Sequence, residues 1–590
     1  MHGRRGHAHA ITAAAALFCL QSCAALATIE LATPAAVCSN VTSTQQTYDY
    51  IIVGSGAGGI PLADRLSAAG HTVLMLEKGT ASTGLWGGVM KPAWLNNTTL
   101  TRFDVPGLFN QIWHDPTGIV CTDVDQMAGC ILGGGTAVNS GLWWRPHPAD
   151  WDYLWPAGWK STDLADATNR VFQRIPGTIV PSTDGKLYLQ QGFNMLTSGL
   201  NASGWKYVVP NDHPDEKNQT YGHASNMFSN GERYGPLATY LLSASKRKEF
   251  TLWMNTTAKR VVRTGGHATG VEIDCTPNAA GHTGVVSVTP GTGRVIVSAG
   301  TFGTAKLLFR SGIGPTDQLN IVKKSADGPT MIASDSWINL PVGYNLDDHV
   351  GTDIEVSQPS VVPYDFYGAY NAPIASDVQA YLANRTGILT QAAPNLGPIF
   401  WEIITGTDGV DRHLHWQARV EGSTPTSMTV TQYLGTGAKS RGRMTITTAL
   451  NTRVSTSPYL NDANDKAAII TGLENLQRYL KPIQNLTWIR PGPSQSAAAY
   501  VNSLPATPSA RTANHWIGTA KMGLDDGRNT NGTAVVDTDT KVYGMDNLFV
   551  VDASIFPGMM TGNPSAMIVS ASEHAADHIL ALAPPKDVLS

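Results

Sequence analysis

Apolar residues fall along the chain in two rhythms. The first is a set of short unbroken runs, YIIV at 50–53, TVLML at 72–76 and RVIV at 294–297. Runs of this length, rich in β-branched residues, read as strands buried on both faces of a parallel sheet. The first and third run into glycine breaks and then helical patterns, PLADRLSAAG and GTAKLLFRSGIGP. A strand at 50–53, a helix at 60–69 and a strand at 71–79 make one βαβ unit of a doubly wound sheet. Near the C-terminus, Thr561, Gly562, Asn563 and Pro564 open a last helix, with Asn563 as N-cap and Pro564 at the first helical position, followed by a stripe at Ile568, Ala571, Ala575 and Ile579. The second rhythm is alternation, as in SMTVTQYLG and RGRMTITTAL, within 151–235 and 345–505. These blocks predict an antiparallel sheet with helices, inserted into the first domain.

The glycine breaks carry the chemistry. Gly54, Gly56 and Gly59 are spaced G-x-G-x-x-G between strand and helix, so backbone N–H groups and a helix N-terminus meet where a pyrophosphate can sit. Glu77 ends the second strand 23 residues beyond Gly54, the place of an acid that accepts a ribose hydroxyl. Gly133, Gly134 and Gly135 form a second approach of bare backbone to a ligand, ahead of Thr136, Asn139 and the pair Trp143 and Trp144.

Composition narrows the class. With 590 residues, 42% hydrophobic, the chain can bury a large core in two joined domains. A net charge of -4 and scattered Lys and Arg give no surface for nucleic acid. Arg4 and Arg5 precede an apolar stretch ending in small residues near Ala27, so 1–27 reads as a cleaved secretory signal. No other run is long enough to span a membrane. Nine N-x-S/T sequons, at Asn40, Asn96, Asn97, Asn201, Asn218, Asn255, Asn384, Asn485 and Asn531, suit an N-glycosylated protein that is secreted or kept in a secretory compartment. Of the four cysteines beyond the signal, Cys121 and Cys130 enclose a short loop and are the first pairing expected, leaving Cys38 with Cys275. Their spacing is not that of a zinc site, and no metal is expected.

Four motifs stand in order: GSGAGG with Glu77, GGGTAVNSG, AGTFGTAKLLFRSGIG, and the pair NHWIGTAKMG and TGNP. As a set they resemble the glucose-methanol-choline (GMC) oxidoreductases over nearly the whole chain. Within that family, TRFDVPGLFNQIWHD, NGERYGPLATYL and VVDASIFPGMMTGNP are similar to the flavin domain of fungal cellobiose dehydrogenases. The resemblance implies an α/β fold: a Rossmann-like FAD-binding domain made of 48–150, 236–344 and 506–584, with an inserted α+β substrate domain, 151–235 and 345–505. It also implies FAD as cofactor, with a hydride passing from a CH–OH group to flavin N5. Cellobiose dehydrogenases carry a haem domain ahead of the flavin domain; here the first strand begins at residue 50, so a separate electron acceptor is expected, a quinone, a redox protein or O2.

By the same resemblance His515 is the base, Asn563 fills the second catalytic position, Gly133, Gly134, Gly135, Thr136 and Asn139 contact the pyrophosphate and flavin edge, and Asp552 and Ala553 lie near the diphosphate. Asn139 stands where some relatives attach flavin through His, which implies non-covalent FAD. Asn563 is thereby asked both to cap a helix and to bind substrate. Trp143, Trp144 and Trp516 read either as a platform for a sugar ring or as core. The first reading of function is oxidation of a sugar or other alcohol. The alternatives are oxidation of an aryl alcohol or a secondary-metabolite alcohol or lactol in a fungal biosynthetic pathway, or non-redox lyase or cyclase chemistry on the same fold.

Overall fold

The computed structural model describes residues 38–41, 46–276 and 279–584, so the expected signal at 1–27 lies outside the described residues. The apolar runs form a five-stranded, wholly parallel sheet ordered Leu548–Val550, Arg294–Val297, Tyr50–Val53, Val73–Leu76 and Phe250–Trp253. Its central strands are buried along their whole length: helix Gly59–Ala68 packs against them, and so do strands Thr256–Thr264 and His267–Cys275 of a further sheet. Helix Gly59–Ala68 follows the first strand, and the C-terminal helix Ser565–Ala581 packs on it: Ser572 Oγ donates to the Gly58 carbonyl at 2.6 Å, and Arg65 pairs with Glu573 and Asp577.

Alternating segments build a seven-stranded sheet ordered Thr487–Arg490, Val350–Ser357, Ser427–Leu434, Asp411–Arg419, Leu396–Thr405, Thr220–Gly222 and Lys206–Tyr207. Every pairing is antiparallel except the last. Helix Ala463–Leu480 covers one face, where Gln432 Nε2 donates to the Ile469 carbonyl at 3.2 Å. The other face, bearing His415, Gln417 and Tyr433, turns toward the parallel sheet. RGRMTITTAL does not join this sheet; Arg443–Ile446 pairs with Thr452–Thr456 as a separate hairpin.

A third sheet pairs Thr256–Thr264, His267–Cys275 and His282–Val288, with Ser39–Val41 running parallel to the last strand. Both expected disulfides are present, Cys38–Cys275 and Cys121–Cys130. The first ties the N-terminal strand to this third sheet, and the second closes a loop on the wall of the central cavity. No helix among the described residues is long and apolar enough to cross a membrane.

Candidate active site

Two strand–turn–helix units and the glycine turn at 133–135 point at one cavity of about 470 Å³. At the first, Gly54 takes φ +104°, which turns the chain sharply off its strand, and a Cβ on Gly59 would collide with the Gly54 carbonyl. A Cβ on Gly56 would meet nothing within 4 Å. The same is true of Gly135 and Gly300, which open the helices Gly135–Val138 and Gly300–Arg310. Thus three bare backbone surfaces face the cavity, as a dinucleotide pyrophosphate requires.

The supporting side chains explain why these turns stay together. Ser55, fully buried, donates Oγ–H to Glu77 and accepts from the Gly133 N–H at 3.2 Å, joining the two glycine segments. Glu77 also accepts from the Ser55 and Gly79 amides, at 3.1 and 2.7 Å, and burial raises its carboxyl above the usual range. Asp552 accepts from the Gly300 amide at 2.9 Å, from Thr304 Oγ1 and from the Ser554 amide and hydroxyl, so it shapes the third turn; Ala553 follows it on the cavity wall. Thr136 folds back onto the Gly133 carbonyl. Asn139 is held at both amide ends, by Ser565 at 2.9 Å and by the Gly141 amide and Arg233 at 3.0 Å. Arg233, unremarked in the sequence, also donates to the carbonyls of Phe103, Thr136 and Asn139; burial pulls it down to about 10.

On the opposite side His515 and Asn563 meet, with Asn563 Nδ2 3.1 Å from His515 Nε2. The protonation pattern follows from the ends of a chain of bonds. Trp144 Nε1, which can only donate, sits 2.9 Å from Asn563 Oδ1, so the amide nitrogen faces His515 and Nε2 must accept. His515 then carries its proton on Nδ1, 3.1 Å from His349 Nδ1, and His349 gives its own Nε2–H to the Met560 carbonyl at 2.7 Å. A carbonyl can only accept, so both ends agree. Burial, and then the neighbouring His349 and His415, hold His515 well below the ordinary histidine range, while burial takes His349 down to about 4.

Asp348 anchors the loop that presents this base. It accepts from the Ala513 and His515 amides, Thr512 Oγ1 and Tyr459 OH, at 2.7 to 3.0 Å, and burial pushes it up to about 6. Neither Asp348 nor His349 emerged from the sequence; their one signal was the run Asp347, Asp348, His349 just before a strand.

One sequence expectation is corrected and one open alternative is narrowed. Asn563 does not cap the last helix: its N-cap is Pro564, without a side-chain bond, and the Asn563 amide is spent on Trp144 and His515. Of the three tryptophans read either as a sugar platform or as core, Trp143 and Trp144 lie in the core, while Trp516 lines the cavity. Trp143 is fully buried against the Ile175 carbonyl, Trp144 is 5% exposed and serves Asn563, and Trp516 is 6% exposed between Phe302 and Tyr459.

Family models for the GMC oxidoreductases match residues 48–351 with the N-terminal part and 438–572 with the C-terminal part. The chain belongs to the GMC oxidoreductases. An oxygen-dependent choline dehydrogenase of Rhizobium etli (strain CIAT 652) is 27% identical over 580 residues, covering 91% of this chain and 96% of that protein. A formate oxidase of Aspergillus oryzae RIB40 superposes with a TM-score of 0.69 at 19% identity, over 92% of this chain and 99% of the other. A fungal aryl-alcohol oxidase superposes with a TM-score of 0.66 at 19% identity, over 91% and 99%. This GMC oxidoreductase is an FAD-dependent enzyme, and the open faces of Gly56, Gly135 and Gly300 fit that cofactor.

Charge divides the GMC cavity in two. Its acids Glu77, Asp123 and Asp552 and its cations Lys78, Lys259, Lys306 and Arg310 all come from the dinucleotide-side segments. The half around His515 is lined by Leu142, Gln417, Tyr433, Ala513, Asn514 and Asn563, all uncharged; burial lifts the Tyr433 hydroxyl to about 12.

Proposed function

We propose that this protein oxidises a CH–OH group of a neutral alcohol or sugar, with His515 as base and Asn563 as the group that holds the reacting oxygen. The observation that carries this reading is the fixed tautomer of His515, whose Nε2 lone pair lies beside a committed amide donor. A substrate hydroxyl takes the place of the bond between the two side chains: its O–H donates to Nε2 and its oxygen accepts from Asn563 Nδ2. As the alcohol becomes a carbonyl, the hydroxyl proton passes to Nε2. FAD, when bound, supplies the acceptor for the hydride leaving the same carbon. His349 accepts from Nδ1 throughout and keeps the ring from turning over.

FAD is held here without a covalent bond, since Asn139 offers no nucleophile and both ends of its amide are engaged. We place FAD binding in 48–150, 236–344 and 506–584 and substrate binding in 151–235 and 345–505. Choline fits this site less well than a neutral alcohol, because among the described residues no carboxylate lines the His515 half to face a quaternary ammonium. The fungal aryl-alcohol oxidase keeps an aryl or secondary-metabolite alcohol as the second reading. Anaerobic flavin bleaching by sugars, aryl alcohols and lactols in turn tests the reaction class; a flavin that stays oxidised with all of them overturns it and favours the non-redox reading. Return of the yellow colour on admitting air identifies O2 as acceptor, and its absence a quinone or redox protein.

A base depressed by burial stays neutral through the physiological range. The rate of flavin reduction is therefore expected to be level from about pH 6 to 9 and to fall only in acid, as Nε2 takes a proton before substrate arrives. Stopped-flow reduction across pH checks this; an inflection near pH 7 would contradict it.

Secretion and glycosylation are supported by the two disulfides and by eight sequon asparagines that lie exposed. Asn255 is the exception, 6% exposed. Glycopeptide mapping of the protein from a eukaryotic host should find glycans among the other eight and none at Asn255.

A further inference from the structure

Gln417 lines the neutral half of the cavity, its amide oxygen has no partner, and it has no part in the chemistry described above. It stands on strand Asp411–Arg419, opposite Thr431 and Ile399, and shares a sheet face with His415 and Arg419 by the two-residue period of a strand. It lines the cavity beside Tyr433, whose ring centroid is 5.8 Å from that of His515. The side chain is 9% exposed, and its Oε1 has no hydrogen-bond partner. Thr431 cannot serve it, because its hydroxyl is taken by Asp353 and Arg419. Arg419 in turn is occupied by Asp353 and Glu421.

A buried amide oxygen left without a donor is costly, and no neighbour on the sheet relieves it. We propose that Gln417 turns its amide to the substrate and selects an alcohol bearing a second hydroxyl beyond the carbon being oxidised, the chemistry of a sugar or polyol. This rests on the alcohol-oxidation reading given above. An amide and a hydroxyl each both donate and accept, so the pair is satisfied whichever way the amide is turned. Tyr433, protonated at any working pH, supplies a further hydroxyl contact on the same wall. A singly hydroxylated aromatic alcohol leaves Gln417 unpaired, and the site discriminates against it by that deficit.

The test compares D-glucose and cellobiose with tetrahydropyran-2-ol, which presents the same anomeric carbon stripped of the other hydroxyls. Anaerobic flavin reduction is followed for the wild-type holoenzyme, for Gln417→Met, which keeps size and removes both polar atoms, and for Gln417→Glu as a second variant that keeps an acceptor. The expected result is a fall of about 10- to 100-fold in kcat/KM for the sugars in Gln417→Met, with tetrahydropyran-2-ol changed less than about twofold. Gln417→Glu should retain more of the sugar rate than Gln417→Met. Equal losses on both kinds of substrate, or no loss on either, overturn the assignment. Wild-type flavin bleached by tetrahydropyran-2-ol or benzyl alcohol but not by the sugars also overturns it, while leaving alcohol oxidation standing. If none of these bleaches the flavin, alcohol oxidation itself falls, and the role of Gln417 with it.

Discussion

His515→Ala is expected to slow anaerobic flavin reduction by about 10²- to 10⁴-fold while leaving the protein yellow. The loss is confined to the chemical step because the side chain plays no part in the glycine turns: its loop is held by backbone amides on Asp348, and those amides survive the substitution. Two companion variants separate the base from its supports. Asn563→Ala removes the donor to the reacting oxygen and frees His515 Nε2, so both binding and rate should suffer. His349→Phe keeps the base but strands a buried Nδ1–H, and a smaller loss, on the order of tenfold, is expected together with a shifted pH profile. Stopped-flow absorbance decides among them. A His515→Ala enzyme reduced at the wild-type rate would remove histidine from the proton transfer.

Gly56→Leu should give a folded protein with no FAD. The position has an ordinary negative φ and open space where a side chain would go, so the backbone tolerates the change while the new side chain fills the pyrophosphate seat. Gly59→Ala, three residues on, should act differently, since its methyl group meets the Gly54 carbonyl and forces helix and strand apart. The measurements are the ratio of visible to ultraviolet absorbance and the far-UV circular dichroism of each variant. Gly56→Leu carrying a full complement of flavin would move the pyrophosphate away from this turn.

The parts of the molecule visible beforehand were those with a local signature. Tyr50–Val53 followed by three spaced glycines announces its own fold, because the periodicity, the turn and the helix lie within one short stretch. The pairing Cys121–Cys130 was likewise within reach, nine residues apart. What was not visible depends on distant segments arriving together. His349 matters only because Met560 and His515 flank it, from 211 and 166 residues away. Trp144 could be read as core or as a ligand platform, yet its indole orients Asn563, 419 residues on. The supposed N-cap of Asn563 failed for the same reason: the local pattern favoured a cap, and a tertiary bond from Trp144 claimed the side chain first.

The order of strands in the parallel sheet sets a schedule for synthesis. Tyr50–Val53, Val73–Leu76 and Phe250–Trp253 can pair once the first half of the chain has left the ribosome, and Arg294–Val297 soon after. The outer edge of that last strand then waits for Leu548–Val550, and the first helix waits for Ser565–Ala581 to cover it. Until then a nascent chain exposes an apolar strand edge, the kind of surface on which chains join one another. Chaperones and the rate of elongation therefore act on a half-made sheet, and a chain cut short before residue 548 should collect in the insoluble fraction however complete its glycine turns.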